Sequence, residues 1–342
     1  MIIDAYTHVL PKKYQAGLEK KVTGRDPRLN TVRYAQMVPT LLDLDARFRI
    51  MDDYDDYIQV ISIASPAIYN IAPPKVAVEL ARIANDELAE LVFKHPDRFA
   101  AGIACLPMNH PDAAVAEAER AMKDLRLRAV EVNSDIAGKP LDSPEFMPLY
   151  EKMVELDRPI FIHPCREMTT PDYPGEEFSK YRVWTKLGWP YATALAMTRL
   201  VCGGVMEKLP GVKIITHHCG GIIPFIAGRI DTYDDFNELR MGHRDLYLKE
   251  NALVYYRRFF YDTAVNGNTG ALLCGISFAG VDQMIFATDF PFDNQNGRRL
   301  IRDTIVSVEQ TGLSDEDKQK IYRDNAVKLL RLPLGFVYSS RR

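Results

Sequence analysis

The sequence predicts an α/β protein folded as a (β/α)8 TIM barrel, and three observations favour this class. Short apolar runs alternate with longer amphipathic stretches along the 342 residues. There are eight such runs, which is the number of strands that closes a small parallel barrel. Each run is almost wholly apolar, as expected of strands covered by helices. An open doubly wound sheet is the alternative, but no glycine-rich dinucleotide loop follows the first run.

The strands are predicted from apolar and β-branched runs, and the helices from amphipathic periodicity. The predicted strands are Ile2–Tyr6, Gln59–Ala64, Phe99–Cys105, Ala129–Asn133, Pro159–His163, Lys213–Thr216, Phe259–Thr263 and Met284–Ala287. The clearest helices are Val76–Lys94, Pro111–Asp124, Tyr191–Lys208 and Pro224–Glu238. A last helix is predicted over Lys318–Leu330, because Ser314 provides an N-cap hydroxyl and acidic residues follow it.

We expect residues 1–342 to form one barrel domain, because α/β barrels commonly run past about 250 residues as a single unit. Two segments, 10–45 and 165–190, are long for barrel loops. Long loops at the carboxyl face of a barrel usually cover the substrate. These segments are therefore the predicted insertions that shape the site.

Composition excludes some classes of partner. The formal net charge is −3 and the basic residues are scattered, which argues against nucleic acid. No apolar run reaches the roughly 18 residues that a membrane span needs. The first residues carry no signal-peptide pattern, and the five cysteines form no CxxC pair. These features predict a cytoplasmic protein with reduced thiols.

Candidate chemistry lies where polar side chains end the predicted strands. His8 follows the first strand, His163 ends the fifth, His218 follows the sixth and Asp289 follows the eighth. In a barrel these positions meet at one mouth. Imidazoles and a carboxylate suit a divalent cation such as Zn2+. A strand-end histidine can equally be a hydrogen-bonded structural residue, and an aspartate there can be a helix N-cap, so the spacing leaves both interpretations open.

A series of motifs resembles the decarboxylase-like branch of the amidohydrolase superfamily, and the resemblance covers nearly the whole chain. The motifs are Asp4–Pro11, Arg47–Asp52, Phe161–Pro164, Gly203–Pro210, His218–Gly221, Gly228–Ile230, Thr288–Phe292 and Asn325–Ala326. This branch includes α-amino-β-carboxymuconate-ε-semialdehyde decarboxylase and the γ-resorcylate and 2,3-dihydroxybenzoate decarboxylases. Each motif alone is weak, but their order and spacing together are specific.

The resemblance implies one divalent metal ion held by His8, His163 and Asp289, with Zn2+ favoured and Mn2+ as the alternative. It implies that His218 is the catalytic acid or base beside the metal. The neighbouring His217 matches a position that the family does not use, so we expect a structural role for it. Glu131 is a ligand candidate for a second metal, but we expect only one.

The same resemblance implies residues that bind a small carboxylic acid. Arg47 would hold the substrate carboxylate, and Arg229 would reach into the site of a neighbouring subunit, which implies a homodimer. Trp184 resembles an active-site aromatic residue. The alternatives are a surface arginine at Arg229 and a loop anchor at Trp184.

The opening motif departs from the family pattern, since Tyr6 stands where the first ligand is expected. Tyr6 could bind the metal as a phenolate. Alternatively, Tyr6 could make no bond to the metal, and the ligands would be His8, His163, Asp289 and water. The third alternative is that the metal is lost. We favour the second, and we include Tyr6 among the substrate-binding candidates. Gly221 also replaces a glutamate of the hydroxybenzoate decarboxylases, so this segment is more similar to the semialdehyde decarboxylase.

The predicted function is a carboxy-lyase that releases CO2 from an unsaturated or aromatic carboxylic acid without oxidation. A metal-dependent hydrolase or hydratase that uses the same residues is the first alternative. A binding protein that has lost the metal and its activity is the second.

Overall fold

Eight parallel strands form one sheet in the computed structural model, which describes residues 1–22, 33, 36–242 and 248–333. The strands are β1 Ile2–Val9, β2 Tyr57–Ile63, β3 Phe99–Cys105, β4 Ala129–Asn133, β5 Ile160–His163, β6 Ile214–Thr216, β7 Phe260–Asp262 and β8 Met284–Ile285. They pair in chain order. A parallel bridge between Thr7 and Phe290, with a hydrogen bond from the Ala5 amide to the Phe286 carbonyl, joins β1 to β8. The prediction of a (β/α)8 barrel is confirmed.

Helices cover the outside of the sheet. They are α1 Lys12–Lys21, α2 Pro39–Leu42, α3 Leu44–Met51, α4 Ile68–Ile71, α5 Pro74–Lys94, α6 Pro111–Lys123, α7 Met147–Glu155, α8 Val183–Lys186, α9 Gly188–Cys202, α10 Val205–Lys208, α11 Ile223–Met241, α12 Ala252–Tyr256, α13 Thr269–Ala279, α14 Arg298–Glu309, α15 Asp315–Gln319 and α16 Asn325–Leu330. Within the described ranges, no helix combines the length and apolarity that a membrane span requires.

Two predicted helices differ from the structure in their continuity. The helix predicted over Tyr191–Lys208 is divided into α9 and α10, because Gly204 adopts a left-handed conformation with a φ of 78°. The predicted helix over Lys318–Leu330 begins earlier, and one π-helical turn separates α15 from α16. Ser314 caps α15 as predicted, since its Oγ accepts from the Asp317 amide at 3.2 Å.

The hydrophobic core has two layers. The outer layer lies between the strands and the helices. The inner layer fills the barrel with the buried side chains of Ile3, Ala5, Ile58, Val60, Ala101, Ile103, Ala129, Phe161, Ile215, Ile285 and Ala287. Because side chains alternate along a strand, the next inward positions after these apolar residues reach the mouth of the barrel. The apolar interior thus fixes which polar residues can meet there.

The first strand contains a local irregularity that affects this alternation. The register between β1 and β2 shifts between Asp4 and Thr7. Ala5 and Tyr6 both belong to the inner apolar layer as a result. An extra residue of this kind re-aims the side chains that follow it. Tyr6 and His8 therefore share the inward face at the end of β1.

Candidate metal centre and active site

Two histidine rings at the mouth are fixed through Nδ1. Ser62 Oγ lies 2.9 Å from Nδ1 of His8, and the Pro164 carbonyl lies 2.8 Å from Nδ1 of His163. A carbonyl only accepts, so Nδ1 of His163 carries the proton and Nε2 keeps its lone pair. Both residues are almost completely buried. For His163 this is the tautomer that a metal-binding histidine needs, with the second nitrogen oriented by a neighbour.

His217 is a third inward imidazole, which the sequence analysis assigned to a structural role. It lies two positions after the inner-layer residue Ile215 and therefore points into the barrel. Its Nδ1 pairs with the Asp262 carboxylate. Its Nε2 is buried and has no hydrogen-bond partner among the described residues. Ligand nitrogens of His8, His163 and His217 all lie within 4.8 Å of one another.

Asp289 follows strand β8, and its carboxylate lies close to three of the histidines. Its Oδ1 lies 3.1 Å from His8 Nε2 and 3.4 Å from His217 Nε2, and its Oδ2 lies 3.7 Å from His218 Nε2. Converging imidazole nitrogens beside a carboxylate are the donor set of a divalent metal ion. The residues present therefore fit one such ion, and His218 lies at the edge of the cluster.

The charges of the cluster depend on its two buried carboxylates. Burial alone would raise the pKa of Asp289, but the charge of His217 and the nearby imidazoles of His8 and His218 hold it well below its usual value. Burial lowers the pKa of His217, yet Asp262 and Asp289 outweigh it and raise that pKa to about 10. Burial and neighbouring histidines lower the pKa of both His163 and His218. Without a metal ion, the cluster therefore keeps a proton on His217.

The hydroxyl group of Tyr6 does not point towards the histidine cluster. The phenol donates to Glu131 Oε2 at 2.8 Å, and burial together with Glu131 raises the pKa of Tyr6 well above its usual value. It therefore stays a neutral phenol. Its ring centroid lies 4.9 Å from that of His8 and 4.8 Å from that of His217. Because Tyr6 is 0% exposed, it packs beside the histidines and has no surface for a substrate.

Arg47, which the resemblance assigns to the substrate carboxylate, is buried in the structure. The side chain is 0% exposed. Its guanidinium donates to Gln59 Oε1 at 2.7 Å, to the His8 carbonyl at 2.6 Å and to Thr7 Oγ1 at 2.8 Å. These bonds leave no surface of Arg47 to a substrate carboxylate. The residue instead fixes the end of β1, which carries His8.

The tryptophan nearest to the histidines is Trp189, which no motif indicated. Its ring centroid lies 5.4 Å from that of His163 and 6.4 Å from that of His218. The predicted Trp184 packs edge-on against Trp189 at 5.6 Å. Trp189 Nε1 also donates to the Arg166 carbonyl at 3.3 Å. The segment 165–190 thus places the two tryptophan rings beside the mouth of the barrel.

The turn after β6 explains why glycine replaces a glutamate at Gly221. His218, Cys219, Gly220 and Gly221 have φ values of 54°, 53°, 72° and 64°. A Cβ atom at Gly221 would lie 2.1 Å from the Pro190 carbonyl oxygen. Only glycine fits there, because the end of the segment 165–190 occupies the space. Cys219 is buried, with Sγ close to Gly275, and burial raises the pKa of its thiol.

A cavity of about 360 Å3 lies beside the mouth. Its lining includes Asn70, Cys165, Arg166 and Tyr191. Arg166 also borders the smaller space formed by Trp184 and Trp189. A cavity of this size accommodates a small organic ligand. Arg229 lies elsewhere, exposed on α11, with its guanidinium carbon 4.4 Å above the Tyr233 ring centre.

Comparison with known proteins identifies the family. The amidohydrolase family matches residues 3–332 of this chain. The chain belongs to the amidohydrolase family. A γ-resorcylate decarboxylase from Polaromonas sp. (strain JS666) is 33% identical to this amidohydrolase over 310 residues, which cover 85% of this chain and 89% of the relative. The resemblance inferred from the motifs is therefore confirmed.

Two further relatives extend the comparison. A 2-amino-3-carboxymuconate-6-semialdehyde decarboxylase from Dictyostelium discoideum is 29% identical over 345 residues, covering 96% of this amidohydrolase and 91% of the relative. The crystal structure of a dihydroxybenzoic acid decarboxylase from Polaromonas sp. JS666, with manganese and 2-nitroresorcinol bound, superposes with a TM-score of 0.76. It is 28% identical and covers 96% of each chain. Overall identity does not separate the resorcylate-type from the semialdehyde-type relatives.

Proposed function

We propose that this amidohydrolase is a metal-dependent carboxy-lyase that removes CO2, without oxidation, from an aromatic or unsaturated carboxylic acid. One observation carries the proposal. Nitrogens of His8, His163 and His217 lie within 4.8 Å of one another, and His8 Nε2 and His218 Nε2 lie 3.1 and 3.7 Å from Asp289. Relatives over most of the chain are decarboxylases of such acids. The arrangement provides a cation site and an adjacent group that can transfer a proton.

His8, His163 and Asp289 would hold the metal ion. Zn2+ suits two imidazoles and a carboxylate, and Mn2+ is the alternative because the Polaromonas structure contains manganese. When bound, the cation supplies a Lewis acid that fixes and polarises the oxygen atoms of the substrate. Ser62 and the Pro164 carbonyl keep the two imidazole rings oriented for this task.

His218 would move the proton that the reaction consumes. Its lowered pKa makes it a neutral imidazole at neutral pH, so it can first accept a proton from a hydroxyl or amino group of the substrate. It then gives that proton to the carbon that bears the carboxylate. The bond between this carbon and the carboxylate breaks, its electron pair restores the unsaturated system, and CO2 leaves. The heteroatom recovers its proton from water.

Arg166 and Trp189 would bind the substrate in place of the buried Arg47. Arg166 lines the cavity, and its Nε is buried without a hydrogen-bond partner among the described residues. The other end of the guanidinium is partly exposed, donates to the Pro171 carbonyl at 3.0 Å and lies 3.7 Å from the Asp172 carboxylate. Because a guanidinium has five N–H donors, this exposed end can also bind a substrate carboxylate. Trp189 stands between this arginine and His163 and offers a flat apolar surface to an unsaturated ring.

A homodimer is part of the proposal. Phe225 and Leu239 are 84% and 81% exposed on α11, the helix that carries Arg229. A second copy of the chain would cover these apolar side chains and bring Arg229 close to a neighbouring site. Light scattering after size-exclusion chromatography tests the assembly, and a mass of one chain would contradict it.

The test of the function is CO2 release from a panel of acids by protein loaded with Zn2+ or Mn2+. The panel contains γ-resorcylate, other hydroxybenzoates and 2-amino-3-carboxymuconate-6-semialdehyde. We expect metal-dependent release of one CO2 per substrate, abolished by a chelator and restored by the ion. Turnover without CO2 would indicate the hydrolase or hydratase alternative. Absence of both metal and turnover would indicate a binding protein.

A further inference from the structure

We propose that His217 is a metal ligand in this chain and replaces the first ligand of the family's opening motif, which is absent at Tyr6. The inference deepens the proposed function, since it assumes that the cluster binds a divalent cation. The donor set would then be His8, His163, His217 and Asp289. His218 would remain free of the metal as the acid and base.

The position of His217 in strand β6 is the first argument. Ile215 belongs to the inner apolar layer, and side chains two residues apart share a face of a strand. Imidazole nitrogens of His217, His8 and His163 lie within 4.8 Å of one another. His218 belongs instead to a separate group with His217 and Asp289. Geometry therefore selects His217 as the partner of His8 and His163.

The second nitrogen of His217 is the second argument. Nε2 is buried and lies 3.4 Å from Asp289 Oδ1, as an ion pair that does not have hydrogen-bond geometry within the described ranges. Native proteins usually give a buried polar atom a well-formed hydrogen bond or an equivalent contact. A cation between the histidines and Asp289 would satisfy this nitrogen. It would also accept the lone pairs of His8 and His163 at the same point.

Asp262 provides the support that such a ligand needs. One carboxylate oxygen pairs with Nδ1 of His217, and the other accepts from the amides of Cys219 at 2.9 Å and Ala264 at 3.1 Å. Asp262 is only 1% exposed, so these bonds fix its orientation. A carboxylate that orients an imidazole through the nitrogen away from the metal is a common arrangement at metal sites.

Tyr6 explains why the fourth ligand comes from another strand. Its hydroxyl group donates to Glu131, and its ring fills the space between the rings of His8 and His217. The end of β1 therefore offers one ligand, His8, where the family pattern offers two. His217 restores the number of donors from the opposite part of the barrel.

The test measures the dissociation constant and the visible spectrum of Co2+ bound to the full chain, and neither depends on activity. We expect His217→Ala to weaken Co2+ binding by about 100-fold and to change the spectrum, and Asp262→Asn to weaken it by about 10-fold. His218→Ala should stay within about 3-fold of wild type with an unchanged spectrum. The exposed His110, which caps α6 through Nδ1, gives the matched control His110→Asn. Circular dichroism confirms that each variant is folded.

A second variant shows whether His217→Ala weakens binding because a metal ligand is lost or because the site loses its local structure. Replacing Tyr6 by histidine in the His217→Ala background returns the ligand of the family pattern, and it should recover at least about 10-fold of the lost affinity. Co2+ bound equally well by wild type and His217→Ala would overturn the inference and leave the proposed function intact. A wild-type protein that binds no Co2+, Zn2+ or Mn2+ would overturn both.

Discussion

The Asp262 carboxylate pairs with Nδ1 of His217, while Nε2 of the same ring lies 3.4 Å from Asp289 and makes no hydrogen bond to any residue that the structure describes. This pair links the ends of strands β6 and β7 to the aspartate after β8. This Nε2 atom lies among the rings that converge at the barrel mouth.

His218→Ala should lower kcat by about 100-fold or more, because the variant removes the group that carries the proton to carbon. Steady-state CO2 release at saturating substrate measures the effect. The metal content should stay at the wild-type level, since His218 lies at the edge of the donor set. An unchanged kcat would remove His218 from the mechanism.

Arg166→Met should raise KM by about 10-fold or more, with a smaller effect on kcat, since it removes a charged hydrogen-bond donor from the cavity. The comparison is with Arg47→Met. That variant should lower the free energy of unfolding by about 2 kcal/mol or more, because three buried hydrogen bonds are lost. Chemical denaturation and steady-state kinetics on both variants distinguish the roles. If KM rose only in Arg47→Met, Arg47 and not Arg166 would be the residue that binds the substrate.

The metal-free protein should become less stable as the pH rises from 7 towards 10. His217 has a pKa of about 10 in the folded chain, above the value near 6.5 of a free histidine. Its protonated form therefore adds stability that is complete below about pH 6.5 and lost as the pH passes through 10. Thermal melting in a chelator measures this, with the neutral variant His217→Gln as control. If the melting temperatures of the two proteins fell equally with rising pH, the positive charge assigned to His217 would be contradicted.

Cys219→Ala should keep kcat within about 3-fold of wild type. The thiol is buried close to Gly275, and burial raises its pKa, so the thiolate is absent at neutral pH. Steady-state measurement of kcat in Cys219→Ala checks the first expectation. Retention of wild-type activity after treatment with iodoacetamide checks that the thiol is unreactive. A large loss of kcat with normal folding would indicate that the thiol acts in the reaction.

The sequence predicted the barrel and the convergence of His8, His163, His218 and Asp289, because strand ends in a closed parallel sheet meet at one mouth. It did not place His217 and Asp262 at this mouth, although a signal was present. Alternation from Ile215 places His217 inward, and Phe260 places Asp262 inward in the same way. The family pattern has no site residue at either position, so only the strand face indicates them.

Arg47 and Trp189 were not predictable for a different reason. The burial of Arg47 depends on Gln59 in β2 and on the His8 carbonyl in β1, and neither contact has a sequence signature. Trp189 reaches the mouth through the irregular path of the segment 165–190, which periodicity does not describe. Part of the other predicted insertion, 10–45, lies outside the described residues.

The most direct test of the central claim uses substrate labelled with 13C in its carboxyl group and metal-loaded protein in water enriched in 18O. We predict that all of the 13C leaves as CO2, one per substrate consumed, and that the organic product contains no solvent 18O. Retention of 13C in a product that has gained 18O would contradict a carboxy-lyase and establish a hydrolase or hydratase.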